Sequence, residues 1–269
     1  MHILTQGGVA LKRHFFIIIS IFCVLALLCG CGNTSSVNQG SGYDNTKIGW
    51  GLKKVQGSQP EVPSSWQEML KKYDSYYLGN TTEKTMYLTF DEGYENGYTA
   101  QILDVLKKTN TPAAFFVTGP YIKTQSELVK RMADEGHVVG NHTVNHPSMP
   151  DVSDEVLKKE LSDLDGMYYD LTRKNMKFLR PPRGEFSERT LALSKEMGYK
   201  SVFWSVAYAD WDTNKQKGTE NAIKQVTSQF HNGAIILLHA VSSDNANALE
   251  QIINIAKEQG YTFKSLEDL

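Results

Sequence analysis

A regular alternation of short apolar runs and helical segments, which begins near residue 85, constrains the fold of this chain more than any other feature. Between the runs, apolar residues recur three and four positions apart, as at Leu157, Leu161 and Leu164, which is the spacing of one helix face. Strands that alternate with helices form parallel βα units. We therefore predict an α/β fold: a single distorted (β/α) barrel of about seven strands, with a doubly wound sheet as the alternative. The apolar runs have the length and residue types of buried strands, and they cover residues 85–90, 113–117, 138–140, 177–179, 201–206, 234–238 and 261–263.

The first 31 residues predict export and are kept out of the fold prediction. Lys12 and Arg13 precede an apolar run over residues 15–28. The run leads into Leu-Cys-Gly-Cys, which resembles a bacterial lipoprotein cleavage box with Cys31 as the lipidated residue. An uncleaved membrane anchor and a plain signal peptide are the alternatives. All three place the protein outside the cytoplasm, and the first two tether it to the membrane.

Composition divides the rest of the chain and limits its chemistry. Residues 32–64 are rich in Gly, Ser, Asn and Gln and are predicted to form a flexible linker to a domain over residues 65–269. All three cysteines fall within the first 31 residues, so the domain can form neither a disulfide nor a thiolate metal site. A net charge of -2 provides no basic field, which argues against nucleic acid as a partner.

Ionisable side chains collect where the predicted strands end. Asp91 and Glu92 follow the first strand, while His142 and Arg180 follow two later ones. Because the carboxyl ends of parallel strands open on one face, these side chains are expected to share one site. His142 and His146 are four positions apart, a spacing that on a helical turn puts two imidazoles beside one cation. With one carboxylate as a further ligand and another as proton acceptor, the pattern indicates a metal-dependent hydrolase.

Five ordered strings resemble the motifs of one enzyme family. They are Thr-Phe-Asp-Glu-Gly at 89–93, His-Thr-Val-Asn-His at 142–146, Arg-Pro-Pro-Arg at 180–183, Asp-Trp at 210–211 and Leu-Leu-His at 237–239. This set resembles the polysaccharide deacetylase (NodB-homology, carbohydrate esterase family 4) family over about residues 84–269. The longer strings at 89–99, 180–184, 203–207 and 239–246 are similar to the branch that removes acetyl groups from N-acetylmuramic acid on the way to the muramic δ-lactam of spore cortex.

The resemblance implies catalytic roles for particular residues. Asp91 would be the general base that deprotonates the attacking water, and Arg180 would pair with it. His239 would be the general acid that protonates the leaving amine, and Asp210 would hold its imidazole. The backbone N–H near Arg183 would stabilise the oxyanion.

The same resemblance implies a metal site and a sugar groove. Glu92, His142 and His146 would hold a divalent metal, most often zinc. Trp211 would form a wall of the groove. The family usually has Asp where this chain has Glu92, and the added methylene leaves direct, water-mediated or absent ligation open. The family's tyrosine is replaced by Arg183, which is expected to contact substrate, to point into solvent or to pair with the nearby Glu185.

The expected function is metal-dependent removal of the N-acetyl group from a peptidoglycan amino sugar. N-acetylmuramic acid without a stem peptide is the favoured substrate, and the peptidoglycan glycan strand is the expected partner of a monomer. One alternative is a deacetylase of N-acetylglucosamine in peptidoglycan or chitin-like oligomers. Another, from a different class, is a membrane-tethered glycan-binding module without activity. The separate acid and base argue against the second alternative, since binding alone needs neither.

Overall fold

Strands and helices alternate along residues 42–269, the part of the chain that this computed structural model describes. The strands are β1 (Ile48–Gly49), β2 (Thr85–Glu92), β3 (Ala113–Val117), β4 (Val138–Asn141), β5 (Phe178–Leu179), β6 (Glu185–Phe186), β7 (Lys200–Ser201), β8 (Ala234–His239) and β9 (Thr262–Phe263). The helices are α1 (Ser64–Lys72), α2 (Thr99–Thr109), α3 (Gly119–Thr124), α4 (Ser126–Asp134), α5 (Asp154–Thr172), α6 (Glu188–Glu196), α7 (Thr219–Thr227) and α8 (Ser243–Glu258). From β2 onward, the order of strands and helices along the chain agrees with the predicted βα units.

One curled sheet with parallel pairing carries the strands in the order β7-β5-β4-β3-β2-β8, and β9 pairs with the start of β2. The chain beyond β7 continues along the open side of the sheet. There Val206 bridges Ile236 of β8, and the amide of Leu237 donates to the Val206 carbonyl at 2.9 Å. This segment links the two ends of the sheet into an incomplete barrel. The predicted distorted (β/α) barrel of about seven strands is confirmed.

The two sides of β2 face different surroundings because side chains alternate along a strand. Leu88 and Phe90 pack in the large core that also contains residues of the surrounding helices. Tyr87 packs instead with Phe116 of β3 and other strand residues on the inner side of the curl. By this alternation Asp91 continues the inner set, and Glu92 continues the outer one. Neighbouring carboxylates on β2 therefore belong to different faces of the sheet.

Three helices, α1, α3 and α6, were absent from the predicted pattern. In α6 the buried positions include Thr190 and Ser194 as well as Leu191. Polar residues at buried positions erase the apolar periodicity on which the prediction depends. The prediction of a strand over residues 201–206 also exceeds the structure, in which β7 is two residues long and the following segment makes only isolated bridges.

The predicted flexible linker, residues 32–64, is packed against the domain over much of its described part. β1 pairs antiparallel with β6, and Trp50 is 8% exposed in a cluster with Phe186 and Phe203. The apolar area of Trp50 and Ile48 is enough to order a stretch whose average composition is polar. The boundary predicted at residue 65 is therefore too late, and the folded part already includes β1.

The N-terminal predictions lie outside the described residues. These are the export segment over residues 1–31, the lipidated Cys31, and the alternatives of an uncleaved anchor or a plain signal peptide, and all of them stay predictions. Within residues 42–269, no helix has the length and apolar character that crossing a bilayer requires.

Candidate active site

Asp91 lies near the end of β2 on the inner side of the sheet and is 7% exposed. Nη1 of the fully buried Arg180 donates to Asp91 Oδ1 at 3.0 Å. Burial alone would raise the pKa of Asp91. The positive Arg180 and the nearby His142 outweigh burial and hold this pKa below its ordinary value. Asp91 is thus kept as a carboxylate, the form that can accept a proton.

Arg180 follows β5 and is fixed by the backbone around it. Its Nε and Nη2 donate to the carbonyls of Val202 and Phe203 at 3.0 and 3.4 Å. Its Nη1 also donates to Thr89 Oγ1 at 2.9 Å, and its guanidinium carbon lies 4.3 Å from the ring centroid of Phe116. These contacts leave the guanidinium one orientation, which presents it to Asp91.

His142 and His146 come together on the loop after β4, and the prediction of a helical turn is wrong. Thr143 and His146 have left-handed backbones, with φ values of 63° and 55°. The Asn141 side-chain oxygen accepts from the Thr143 amide at 2.8 Å and holds the loop. The ring centroids of the two histidines are 4.7 Å apart. The spacing therefore predicted their proximity but not the backbone that produces it.

The two imidazoles are neutral at neutral pH. His142 Nδ1 lies 2.8 Å from the carbonyl oxygen of Arg180, and its Nε2 lies 3.7 Å from Asp91 Oδ2. Burial lowers the pKa of His142. Burial, with the neighbouring His142, also lowers the pKa of His146 to about 4.

His239, the last residue of β8, is held by Asp210. Asp210 Oδ1 lies 2.7 Å from His239 Nδ1, and Asp210 Oδ2 accepts from the His239 backbone amide at 2.9 Å. Asn245 Nδ2 donates to the same Oδ2 at 2.6 Å. Burial disfavours the imidazolium, but the hydrogen bond and negative charge of Asp210 prevail and raise the pKa of His239 above its ordinary value. With Nδ1 engaged by Asp210, Nε2 is the nitrogen left to donate a proton.

A cavity of about 650 Å³ is lined by Asp91, His142, His146 and His239 together. Arg180 supports Asp91 from behind, and Asp210 supports His239. Residues from five strand ends, or from the loops that follow them, therefore meet in one site. Four aromatic residues also line the cavity: Tyr94, Trp204, Tyr208 and Trp211. Trp211 is 60% exposed and Tyr94 is 54% exposed. Exposed rings beside polar groups suit the apolar faces and hydroxyls of a sugar.

The loop from β5 to β6 presents Arg183 and Gly184 to the cavity. Both have left-handed backbones, with φ values of 58° and 67°. Arg183 Nε lies 3.3 Å from Glu185 Oε2, and the Arg183 side chain is 51% exposed. The structure thus contains the predicted ion pair and also keeps the guanidinium at the cavity.

Glu92 does not lie with the histidines. It is fully buried, and neither side-chain oxygen has a hydrogen-bond partner among the described residues. Burial, with the negative charges of Glu95 and Asp91, raises the pKa of Glu92 well above its ordinary value. Its electrostatic neighbours also include Tyr121 of α3, which lies on the helix side of the sheet. Glu92 is therefore biased toward its protonated form and lies behind the site.

The expected metal-ligand set is consequently incomplete. Within residues 42–269, no group of three or more His, Cys, Asp or Glu side chains is arranged to hold a metal ion. A catalytic zinc takes three protein ligands and keeps one position open. The structure offers the His142–His146 pair, but strand alternation directs Glu92 to the other face. Glu92 therefore does not complete a zinc site with these histidines in this structure, which corresponds to the absent ligation that the sequence left open, and the residues present do not fit that metal.

Replacing Glu92 with Gln should stabilise the fold at neutral and alkaline pH by about 1–3 kcal/mol, because a side chain that does not titrate removes the cost of keeping a buried carboxyl group protonated. The pKa of Glu92 is higher in the folded state than in the unfolded state, where it is near 4.5. The stability that Glu92 contributes is therefore fully present below pH 4.5 and is lost as pH rises toward the folded-state pKa. Urea unfolding of both proteins from pH 4.5 to 8.5 measures this difference. The exposed Glu68→Gln variant is the control. A Gln variant less stable than the parent at pH 8 would mean that an ionised Glu92 has a stabilising partner.

Sequence reasoning missed four residues of this site. Tyr94 lies within the matched string 89–99 and Trp204 within the matched string 203–207, but neither was given a role in the site, although both line the cavity. Asn245 supports Asp210, and its side-chain oxygen accepts from the Tyr208 hydroxyl. An aromatic residue inside a motif loop was a signal for Tyr94. Asn245, which reaches Asp210 from α8, lies within the matched string 239–246, and that was its signal in the sequence.

Comparison with known proteins agrees with this geometry. Residues 78–202 match the family described as polysaccharide deacetylase. The chain is 48% identical to the peptidoglycan-N-acetylmuramic acid deacetylase PdaA of Bacillus subtilis over 252 residues, which are 93% of this chain and 94% of that protein. It is 33% identical to a peptidoglycan-N-acetylglucosamine deacetylase of Bacillus cereus over 212 residues, or 77% and 75% of the two proteins. The solved structure of B. subtilis PdaA, a family 4 carbohydrate esterase, superposes with a TM-score of 0.82 at 50% identity and covers 84% of this chain and 97% of that one.

The fold and the similarity to these proteins define a hydrolase that acts on amide bonds. The chain belongs to the polysaccharide deacetylase family of carbohydrate esterases.

Proposed function

We propose that this chain deacetylates N-acetylmuramic acid residues of peptidoglycan that carry no stem peptide, as a step toward the muramic δ-lactam of spore cortex. The observation that carries the proposal is the Arg183 guanidinium at the cavity that contains Asp91 and His239. The higher identity to the muramic acid deacetylase than to the glucosamine deacetylase supports the same substrate.

The acid and base divide the reaction between them. Asp91 accepts a proton from water as the water oxygen attacks the acetamide carbonyl carbon. The backbone N–H near Arg183 stabilises the negative charge that develops on the carbonyl oxygen. His239 then donates a proton to the amide nitrogen, the C–N bond breaks, and acetate and a free amine leave. The pKa shifts favour these starting forms, since Asp91 is held ionised and His239 is biased toward imidazolium.

The product explains why a free carboxylate should matter. Deacetylation frees the C2 amine of the muramic residue, whose C3 lactyl ether ends in a carboxyl group. Condensation of the amine with that carboxyl group closes a six-membered lactam and releases water. A stem peptide would already occupy the carboxyl group as an amide, so the relevant substrate carries a negative charge there. A guanidinium binds such a carboxylate with charge-assisted, paired hydrogen bonds.

The Arg183 contact predicts a change in substrate preference. Arg183→Tyr should lower kcat/KM on peptide-free muramic glycan about 10- to 100-fold, the size expected for a lost charged hydrogen bond. The loss on N-acetylglucosamine oligomers should be much smaller, because they have no carboxylate. Mass spectrometry of defined glycans after incubation measures both rates. The assay is run with and without added zinc, since deacetylases of this family generally depend on a metal.

Two control variants separate charge from shape. Arg183→Lys keeps the charge but not the paired geometry, so its loss should be intermediate. Glu185→Gln removes the observed ion-pair partner and should not reduce activity on the muramic glycan. Equal losses of Arg183→Tyr on both substrates would contradict the carboxylate contact. That result would favour the rival assignment to N-acetylglucosamine, which uses the same acid and base.

The proposed setting follows from the substrate. Peptidoglycan lies outside the cytoplasm, and the predicted lipoprotein box or anchor in residues 1–31 would tether the domain to the membrane beside it. We propose that the domain acts there as a monomer on glycan strands. Trp211 and Tyr94, the two most exposed rings of the cavity, are assigned to contacts with the sugar rings of the strand.

A further inference from the structure

The segment before the barrel, here called the N-terminal arm (residues 44–54), runs along the wall of the substrate cavity. The backbone amide of Trp50 donates to the Gly184 carbonyl at 2.8 Å. The indole Nε1–H of Trp50 donates to the Trp204 carbonyl at 3.0 Å. Gly184 and Trp204 both line the cavity. One arm residue therefore bonds to two separate pieces of the wall.

Contact between the arm and the wall is close as well as polar. A Cβ atom added at Gly184 would lie 2.9 Å from Trp50 Cβ and 2.9 Å from the Trp204 ring, so only glycine fits there. The Trp50 ring packs on Phe203, with centroids 4.8 Å apart. At the other end of the arm, Lys54 Nζ donates to the carbonyl of Ala207, a further lining residue.

The groups that perform the chemistry are anchored elsewhere. Asp91 is held by Arg180, and His239 is held by Asp210. Among the described residues, neither pair hydrogen-bonds to the arm. Arg180 also donates to the Phe203 carbonyl, and the Trp50 ring packs on Phe203, so a variant that keeps a ring at position 50 should displace the Trp204 wall and leave the acid and base in place.

We propose that Trp50 is a positioning residue for glycan binding: it fixes the Arg183–Gly184 loop and the Trp204 wall in the geometry that accepts the sugar. The placement of substrate-binding groups matters because displacements near 1 Å can cost a large part of the rate. This role requires only that the chain is a glycan deacetylase, so it applies to muramic and glucosamine substrates alike.

The decisive variant is Trp50→Phe, which keeps a ring in the cluster but removes the indole donor to Trp204. KM for the acetylated glycan should rise about 3- to 10-fold, the effect of one lost hydrogen bond. kcat should change little. Hydrolysis of 4-nitrophenyl acetate, a small acetyl ester that does not need the wall, should be unchanged. Lys54→Met should raise KM in the same direction by a smaller factor.

Trp66→Phe is the matched control. Trp66 packs against Trp50 in the same cluster, with centroids 6.1 Å apart, and its indole nitrogen makes no hydrogen bond to a described residue. It should lose comparable thermal stability without raising KM. Equal KM values for the Trp50 and Trp66 variants would overturn the positioning role. The positioning role would also be overturned if Trp50→Phe lost activity equally on the glycan and the ester, in proportion to its fall in melting temperature. If Arg183→Tyr loses more activity on the muramic glycan than on N-acetylglucosamine oligomers while Trp50→Phe keeps the parental kinetics, the positioning role fails and the proposed substrate stands.

Discussion

Asp91→Asn should lower kcat for glycan deacetylation about 10²- to 10⁴-fold, because asparagine keeps the shape of the side chain but cannot accept the proton of the attacking water. The fold should survive, since the amide oxygen can still accept the hydrogen bond that Arg180 donates to Oδ1. Release of acetate under saturating substrate measures the effect. The melting temperature shows whether the folded state is intact.

The adjacent residue supplies the control for that experiment. Glu92→Gln makes the same chemical change one position along β2, on the opposite face of the sheet. It should retain most of the activity. Comparable losses in the two variants would mean that both carboxylates act in the site. The loss of activity in Asp91→Asn would then not identify Asp91 as the base.

His239→Gln should also lower kcat by about 10²-fold or more, since the leaving amine then departs without a proton donor. Asp210→Asn tests the same group through its pKa. Because Asp210 raises the pKa of His239, the parent keeps its acid protonated to a higher pH. Activity should fall as pH rises through that pKa, and the fall should begin at lower pH in the Asp210→Asn variant.

The pH profile of kcat distinguishes an acid from a merely structural histidine. The basic fall should shift in Asp210→Asn and vanish in His239→Gln, while both proteins keep the parental circular dichroism. A profile unchanged in both variants would remove His239 from proton transfer and leave the leaving amine without its assigned donor.

Much of this site could be predicted because its residues occur at the ends of regular strands. The apolar runs located β3 without error and β8 to within one residue, and polar residues directly after such runs must appear at the same end of a parallel sheet. The order of the five motifs added the pairings of Asp91 with Arg180 and of His239 with Asp210. Both pairings are present as hydrogen bonds.

The parts that escaped prediction depend on tertiary contacts. The four-residue spacing predicted that His142 and His146 lie close together, but it could not indicate the two left-handed residues that form a loop there. A motif gives no side-chain direction, so Glu92 was placed with the metal ligands. Composition averaged over residues 32–64 hid the single Trp50 that orders the arm against Gly184.

Arg180 contributes both to the stability of the fold and to the charge state of Asp91. The same side chain neutralises Asp91 and ties β2 to the Val202–Phe203 segment that closes the curl. Removing one member of a buried ion pair typically costs about 3–5 kcal/mol, so selection for folding alone would preserve this arginine. A descendant that lost only its acid, His239, would still inherit both members of this pair. Activity could then return through a single substitution, without rebuilding the barrel.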